Sequence, residues 1–320
     1  MRQYQSLNSQ SPTAWFGGVG FLWYNTGMKR IFLFLVTNIA VMITLGIVAN
    51  LLCTFLLGTS IEQVVGPEWT VYLIYAFVYG MLGAFISLLF SKPIAKMSCR
   101  ARTIDGSEGE AERWLVATVT DLAQRANIKT PEVAIYPGAP NAFATGAFKN
   151  SALVAVSTEI MGQMSKEELR AVLGHEMSHV ANGDMVTMTL TQGVLNAFVI
   201  FASRVIAGLF AGNGRGSRRG AGYVAIASVL QVVLGIPASM IVMAYSRRRE
   251  FAADAGSADL LGSPSPMIAA LRRLVNLSSE PLPDSLKAFG INGKKTSLFA
   301  THPSLEDRIE ALMRYGNNIK

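Results

Sequence analysis

At 320 residues, with 51 % hydrophobic and 15 % charged side chains, the chain is far more apolar than soluble domains of its length. Its net charge of +7 points to lipid and not to nucleic acid: Lys29, Arg30, Lys92, Lys96, Arg100, Arg102 and Arg247 to Arg249 stand beside apolar runs, where basic residues set topology and meet anionic lipid. Two cysteines, Cys53 within the first apolar run and Cys99 just past the second, exclude a disulfide framework.

Residues 1–27 are polar, then aromatic and Gly-rich, and read as an N-terminal extension before an ordinary membrane-protein start at Met28-Lys29-Arg30. No charge interrupts Ile31 to Ile61, Trp69 to Ser91 or Gly220 to Ser246, and each run exceeds the roughly 20 residues needed to cross a bilayer. The first is too long for a signal-peptide core and lacks a small-residue cleavage site. It is expected to form a retained transmembrane helix, about Ile31 to Leu57, followed by a second, about Thr70 to Phe90. The loop between them carries only Glu62 and Glu68, with basic clusters at both outer ends. The positive-inside rule then puts Lys92 onward in the cytoplasm.

From about Lys96 to Asp184 the composition turns soluble. Trp114, Leu115, Val119 and Leu122 give Glu108 to Asn127 a helical period. Val133 to Tyr136 and Leu153 to Val156 read as strands, with Asn141 to Gly146 a short extended piece between them. Ser165 and Glu168 form a capping box opening a helix that should stop near Asn182-Gly183. A second hydrophobic pair follows, about Met185 to Phe210 and Ala221 to Tyr245, either transmembrane or partly embedded. Its first member holds Gln192, Asn196 and Arg204, and the connecting loop holds Arg215, Arg218 and Arg219. An Arg at the centre of a span costs about 2.5 to 3.5 kcal/mol, so this pair is expected to pack against other helices or a polar cavity. A final soluble portion runs from Ser246 to Lys320.

His175-Glu-Met-Ser-His179 is the strongest local signal, in a chain with only three histidines. Four residues along a helix bring two imidazoles to one face, about 6 Å apart at Cβ, which suits one tetrahedral ion. Glu176 sits beside the first ligand, where its carboxylate reaches a metal-activated water without occupying the metal. A catalytic zinc needs a third protein ligand and an open position. His302 or a carboxylate remains for it, and Glu250 and Asp254 share one helical face, so that one can bind metal while the other bonds a ligand imidazole. Read alone, an acidic pair after three arginines is an ordinary salt-bridged helix.

With Ser246-Arg-Arg-Arg-Glu-Phe-Ala-Ala-Asp254, Thr301-His-Pro303 and Arg308 following the His-Glu-x-x-His motif and a hydrophobic pair, the chain resembles HtpX, a family of membrane zinc metalloproteases of the gluzincin group. The resemblance runs from about Met28 to the C-terminus. It implies Glu250 as third ligand to one zinc ion, Asp254 as orienter of a ligand histidine, above all His175, and His302 and Arg308 across the cleft, stabilising the oxyanion or orienting its neighbours. The fold implied is an α-helical integral membrane protein with a mainly α (α+β) zincin-like metalloprotease domain built from two chain segments. Residues 1–27 precede it, 28–91 hold two transmembrane helices, 92–184 and 246–320 are the two parts of the domain, and 185–245 the hydrophobic pair.

Asn141, Ala142, Phe143 and Ala144 stand where zinc peptidases offer an edge strand to an extended substrate. Pro140-Asn141 and Gly146 are equally the residues of a structural turn. The implied activity is peptide-bond hydrolysis in misfolded or damaged membrane proteins at the cytoplasmic side of the bacterial inner membrane, with unfolded polypeptide as substrate, the bilayer as surroundings and no nucleic-acid partner. The rivals are a CAAX prenyl peptidase, which carries more membrane helices, and a membrane scaffold with a structural zinc, which would use four protein ligands.

Overall fold

The computed structural model describes residues 58–65, 69–210, 220–278, 300 and 302–318, with scattered positions between 40 and 56. The N-terminal extension, most of the first apolar run, Arg215, Arg218 and Arg219, and Thr301 lie outside the described residues.

A short helix α1 (Ile61–Val65) leads into α2 (Trp69–Leu89), whose 21 residues contain no charge. Phe90 separates α2 from α3 (Ser91–Cys99), a helix that apolar patterning does not reveal. Lys92 and Lys96 on α3 both grip Glu132 of the sheet, Lys92 at 2.9 Å. Hydrogen bonds from Lys92 and Lys96 hold the Glu132 carboxyl down at about 2.

The sheet comprises β1 (Arg102–Ile104), β2 (Glu132–Tyr136), β3 (Ala142–Thr145) and β4 (Leu153–Ser157), in the order β1-β2-β4-β3. β2 and β4 run parallel, joined through β3 and its turns, while β1 and β3 pair antiparallel with their neighbours. β4 is buried along its whole length, and β3 forms a free edge. α4 (Glu110–Arg125) places Leu115, Val119 and Leu122 in the core. After β4 come α5 (Thr158–Gln163), capped by Ser157, and α6 (Lys166–Asn182). The reciprocal capping box of Ser165 and Glu168 opens α6, and Gly183, at φ 71°, closes it.

The rest is helical: α7 (Asp184–Phe210), α8 (Ala221–Leu261), α9 (Ser265–Ser278) and α10 (Leu305–Asn318). Among the described residues, α2, α7 and α8 are long and apolar enough to cross a membrane, and Phe210, Val229 and Val232 stand exposed as lipid-facing side chains do. α2 and α7 pack backbone to backbone: a Cβ added at Gly80 would lie 2.5 Å from the Ala197 nitrogen. Small residues at such crossings permit close approach without a hydrophobic driving force. The Arg204 guanidinium lies 5.1 Å from the Tyr75 ring centroid, a cation–π contact across the α2–α7 seam.

α8 is one helix of 41 residues. At 1.5 Å per residue it is about 60 Å long, roughly twice the hydrocarbon thickness. The boundary read at Tyr245/Ser246 therefore falls inside one continuous helix, whose last 15 residues, Arg247 to Leu261, run past the apolar stretch into the core of the two-part domain. There Met267 and Leu271 of α9 and Leu312 of α10 share one core with Leu115, Val154, Leu173 and Met177.

Candidate active site

α6 and α8 cross at two glycines. A Cβ on Gly256 would stand 1.8 Å from Ser178 Oγ, and one on Gly174 would stand 2.9 Å from Ser257 Oγ. Ser257 Oγ donates to the Ala171 carbonyl at 2.8 Å, fixing the crossing. One turn to either side lie the polar residues of the site.

His175 Nδ1 is 2.9 Å from Asp254 Oδ1, and His179 Nδ1 is 2.7 Å from Asp184 Oδ2. In the neutral tautomer that donates Nδ1–H to these carboxylates, each imidazole would present an Nε2 lone pair to a metal ion; the two Nε2 atoms face each other at 3.1 Å. Glu250 completes the triangle, with Oε2 3.4 Å from His175 Nε2 and Oε1 3.4 Å from His179 Nε2. Donors around a tetrahedral zinc with bonds of 2.0 to 2.1 Å stand about 3.3 Å apart. Glu250 Oε2 is buried and makes no hydrogen bond, although His302 Nδ1 lies 3.0 Å and Arg308 Nη1 3.4 Å away. A buried carboxylate whose two oxygens each face one imidazole Nε2 is the environment of a bound cation, so the donor set fits a metal ion.

The two carboxylates behind the imidazoles are themselves held. Arg308 forks onto Asp254, Nε to Oδ2 at 2.8 Å and Nη2 to Oδ1 at 2.6 Å, and Arg249 bonds Asp184 Oδ1. Burial disfavours protonation of His175, but Asp254 and Glu250 outweigh it and hold its pKa above the ordinary value. Burial likewise opposes a proton on His179, yet Asp184 and Glu250 push it up to about 10. Sequence reasoning missed Asp184 and Arg249. Asp184 lies outside the motif helix, and only the left-handed turn at Gly183 returns its carboxylate to His179. Arg249 reads, within a basic run, as a topology signal.

Glu176 stands outside the triangle, and its Oε2 accepts from the Ala144 N–H at 2.8 Å. Ser157 N donates to Asn141 O, so by strand alternation Ala142 and Ala144 turn their backbone groups to the free edge of β3. Asn141 is spent within the fold, its carbonyl also accepting from the Tyr136 hydroxyl, and the Phe143 ring packs on Tyr136. Gly146 serves a turn with φ 142° and no room for a Cβ beside Ser151 and Ala152. His302 is 58 % exposed at the cleft, brought there by Arg247, which donates to the Ala300 carbonyl at 2.8 Å. Arg308 is buried, forked onto Asp254 behind His175, with its Nη1 3.4 Å from Glu250 Oε2 at the base of the site. The cleft, about 200 Å³, is lined by Ala144, Glu176, His179, Met188, Ser246 and Glu250 and lies where α7 and α8 emerge from their apolar spans.

Residues 110–315, from α4 to α10, match Peptidase family M48. The chain belongs to peptidase family M48. Its M48 relatives include the protease HtpX homologs of Janthinobacterium sp. (strain Marseille), 53 % identical over 89 % of this chain and 99 % of that one, and of Verminephrobacter eiseniae, 53 % identical over 89 % and 98 %. The crystal structure of S. mikatae Ste24p aligns at a TM-score of 0.53 and 19 % identity, covering 87 % of this chain and 66 % of Ste24p, which establishes a shared fold. With three apolar helices in addition, the chain is a multi-pass, membrane-bound metalloprotease of the HtpX kind.

Proposed function

We propose that this M48 protein is a zinc endopeptidase, with one zinc per chain, that cuts misfolded or damaged membrane proteins at the cytoplasmic face of the bacterial inner membrane. The observation that carries it is the donor triangle of His175, His179 and Glu250, with edges of 3.1 to 3.4 Å, beside a carboxylate that takes no part in it. When bound, zinc polarises a scissile carbonyl and acidifies water. Glu176 accepts the proton of the attacking water and returns it to the departing amine. An extended substrate pairs with the outward backbone of Ala142 and Ala144, which requires the Ala144 N–H to leave Glu176 and so frees the base as the substrate arrives. Exposed His302 donates to the oxyanion, while Arg308 and Arg249 orient the metal ligands through Asp254 and Asp184.

Charge supports the cytoplasmic sidedness. The site end of the spans carries Lys92, Lys96, Arg100 and Arg247 to Arg249, against Arg215, Arg218 and Arg219 between α7 and α8, and the larger cluster stays in the cytoplasm. Because the cleft opens where the spans emerge, flanks of membrane segments are the nearest substrate.

The test uses full-length protein in phospholipid vesicles. Metal content, cleavage of an unfolded soluble protein and cleavage of a single-span membrane protein are measured with and without chelator. One zinc per chain is expected, and chelation should abolish both cleavages. Glu176→Gln should keep the zinc and lose about 10² to 10⁴-fold in rate. A zinc-loaded Glu176→Gln protein with near-normal turnover would falsify the mechanism.

A further inference from the structure

A second cavity, about 310 Å³, lies within the membrane-spanning part, lined by Tyr79 of α2, Gln192 and Asn196 of α7, and Gln231, Gly235 and Ser239 of α8 among others. Counting 1.5 Å per residue from Asp184 and Glu250, Gln192 and Asn196 lie about 12 to 18 Å, and Ser239 and Gln231 about 16 to 28 Å, into the spans. Nothing in the apolar character of α7 and α8 requires three amide side chains at that depth. Gln192 Nε2 donates to Asn196 Oδ1 at 2.8 Å, which leaves the Asn196 amide donors and the Gln192 carbonyl without a partner among the described residues. Gln231 has no hydrogen-bond partner among the described residues. Asn196 is exposed and Gln231 half-buried, so these groups face the surroundings of the helices. Hydrocarbon cannot satisfy them.

The cavity and the catalytic cleft are separate, but they lie on the same faces of α7 and α8. On α8, Gln231, Gly235, Ser239, Ser246 and Glu250 fall within an arc of about 100° at 3.6 residues per turn. The first three line the cavity and the last two the cleft. On α7, Met185 and Met188 of the cleft and Gln192 and Asn196 of the cavity share one face in the same way. One seam between α7 and α8 therefore carries the amides and, past buried Val242, the residues of the cleft.

We infer that this amide-lined notch is an intramembrane recognition site for a membrane-spanning helix of the substrate that carries a hydrogen-bonding side chain at mid-depth. A span whose Asn, Gln, Ser or Thr is unpaired in lipid satisfies both itself and Gln231, Asn196 or Gln192 by lying along the seam. Its cytoplasmic flank is then held at the cleft, where unravelled backbone can reach β3. Unpaired polar residues in the bilayer distinguish a misassembled membrane protein from an assembled one, in which such groups are already partnered. The inference rests on the proposal that membrane proteins are substrates and adds what in them is recognised.

The test uses the zinc-loaded full chain in vesicles of phosphatidylethanolamine and phosphatidylglycerol. Two single-span substrates share one cleavable flank and differ only in a mid-span Asn or Leu, and unfolded soluble protein is the third substrate. Wild type should cleave the Asn span about 3- to 30-fold more efficiently than the Leu span, the range supplied by an interhelical hydrogen bond in lipid. The Gln231→Leu/Asn196→Leu double variant should lose that preference and keep its rate on soluble protein. Equal cleavage of both spans by wild type, or an undiminished preference in the double variant, overturns the notch while leaving membrane substrates in place. Cleavage of soluble protein alone overturns the underlying reading as well. As a check independent of the variant's folding, a benzoylphenylalanine at position 231 in the Glu176→Gln background should crosslink the Asn span. Crosslinks confined to a second copy or to other residues of the same chain would assign the notch to a different occupant and sink the proposal.

Discussion

Each imidazole facing the metal position is gripped at Nδ1 by its own carboxylate, and each carboxylate by its own arginine. A carboxylate behind a ligand histidine fixes the tautomer and raises the basicity of the free nitrogen, and losing it typically costs 10- to 100-fold in metal affinity, on the order of 1 to 3 kcal/mol. Asp184→Asn keeps the shape but withdraws the charge from both His179 and Arg249. It should therefore weaken zinc by about 10- to 100-fold, as much as Asp254→Asn. Competition against a chelator of known affinity measures both variants together; an Asp184→Asn protein loading zinc like wild type would reduce the Asp184 contact to a packing role. His175, Glu176 and His179 are legible in the sequence because one helical turn fixes their relation whatever the rest of the fold does. Glu250 and Asp254 become legible through their shared face and the resemblance. Asp184 is not, since its direction depends on one positive φ at Gly183, and neither is the fork of Arg308 onto Asp254, which depends on how α10 packs against α8.

Between elements, the site is only as well made as the crossing of α6 and α8. A side chain at position 256 meets Ser178 Oγ at 1.8 Å and Ser178 Cβ at 3.0 Å, so Gly256→Val must separate the helices. Overpacking of this kind typically costs about 1 to 3 kcal/mol. Gly256→Val should lower both thermal stability and zinc affinity although no ligand is touched, and Ser178→Gly in the same chain should restore part of each. An undisturbed zinc affinity would show that the crossing does not set the ligand spacing. The apolar character of α2, α7 and α8, and α4, the strands and the capped start of α6, are legible because composition, period and capping are local. The unbroken course of α8 is not, since the change from apolar to basic at Ser246 is a change of composition and not the end of a helix. A second junction, α3 to β2, is electrostatic. The Glu132 carboxyl, drawn from its ordinary 4.5 to about 2 by Lys92 and Lys96, contributes stability that is present above pH 4.5 and is lost as the pH falls toward 2. Glu132→Gln should thus unfold earlier than wild type at neutral pH, by about 1 kcal/mol or less for so accessible a cluster. The difference in Tm should close on acidification; a difference independent of pH would assign it to packing.

At the scale of the whole molecule, the metal position ties together pieces separated by a pair of membrane helices. His175 and His179 precede α7, Glu250 follows the apolar part of α8, and Leu312 of α10 packs into the core built by α4, β4 and α6. Such a domain closes only if α7 and α8 leave the layer and return to the side they left. The ends of α2, α7 and α8 nearest the site must then lie on one face of the membrane, and residues 211–219 on the other when both helices cross fully. Single cysteines at Lys149 and Asn317, in a chain whose Cys53 and Cys99 have been replaced, should react with a membrane-impermeant maleimide from the same side. A cysteine at Ser217 should react from the opposite side if the pair spans, and from the same side if it is only embedded, so one experiment reports both the unity of the domain and the depth of the pair. The positive-inside rule adds the direction: intact cells should protect positions 149 and 317, and opened cells should expose them. Labelling of 149 and 317 from opposite faces would separate Glu250 from its two histidines by a bilayer, and no single ion could then join them.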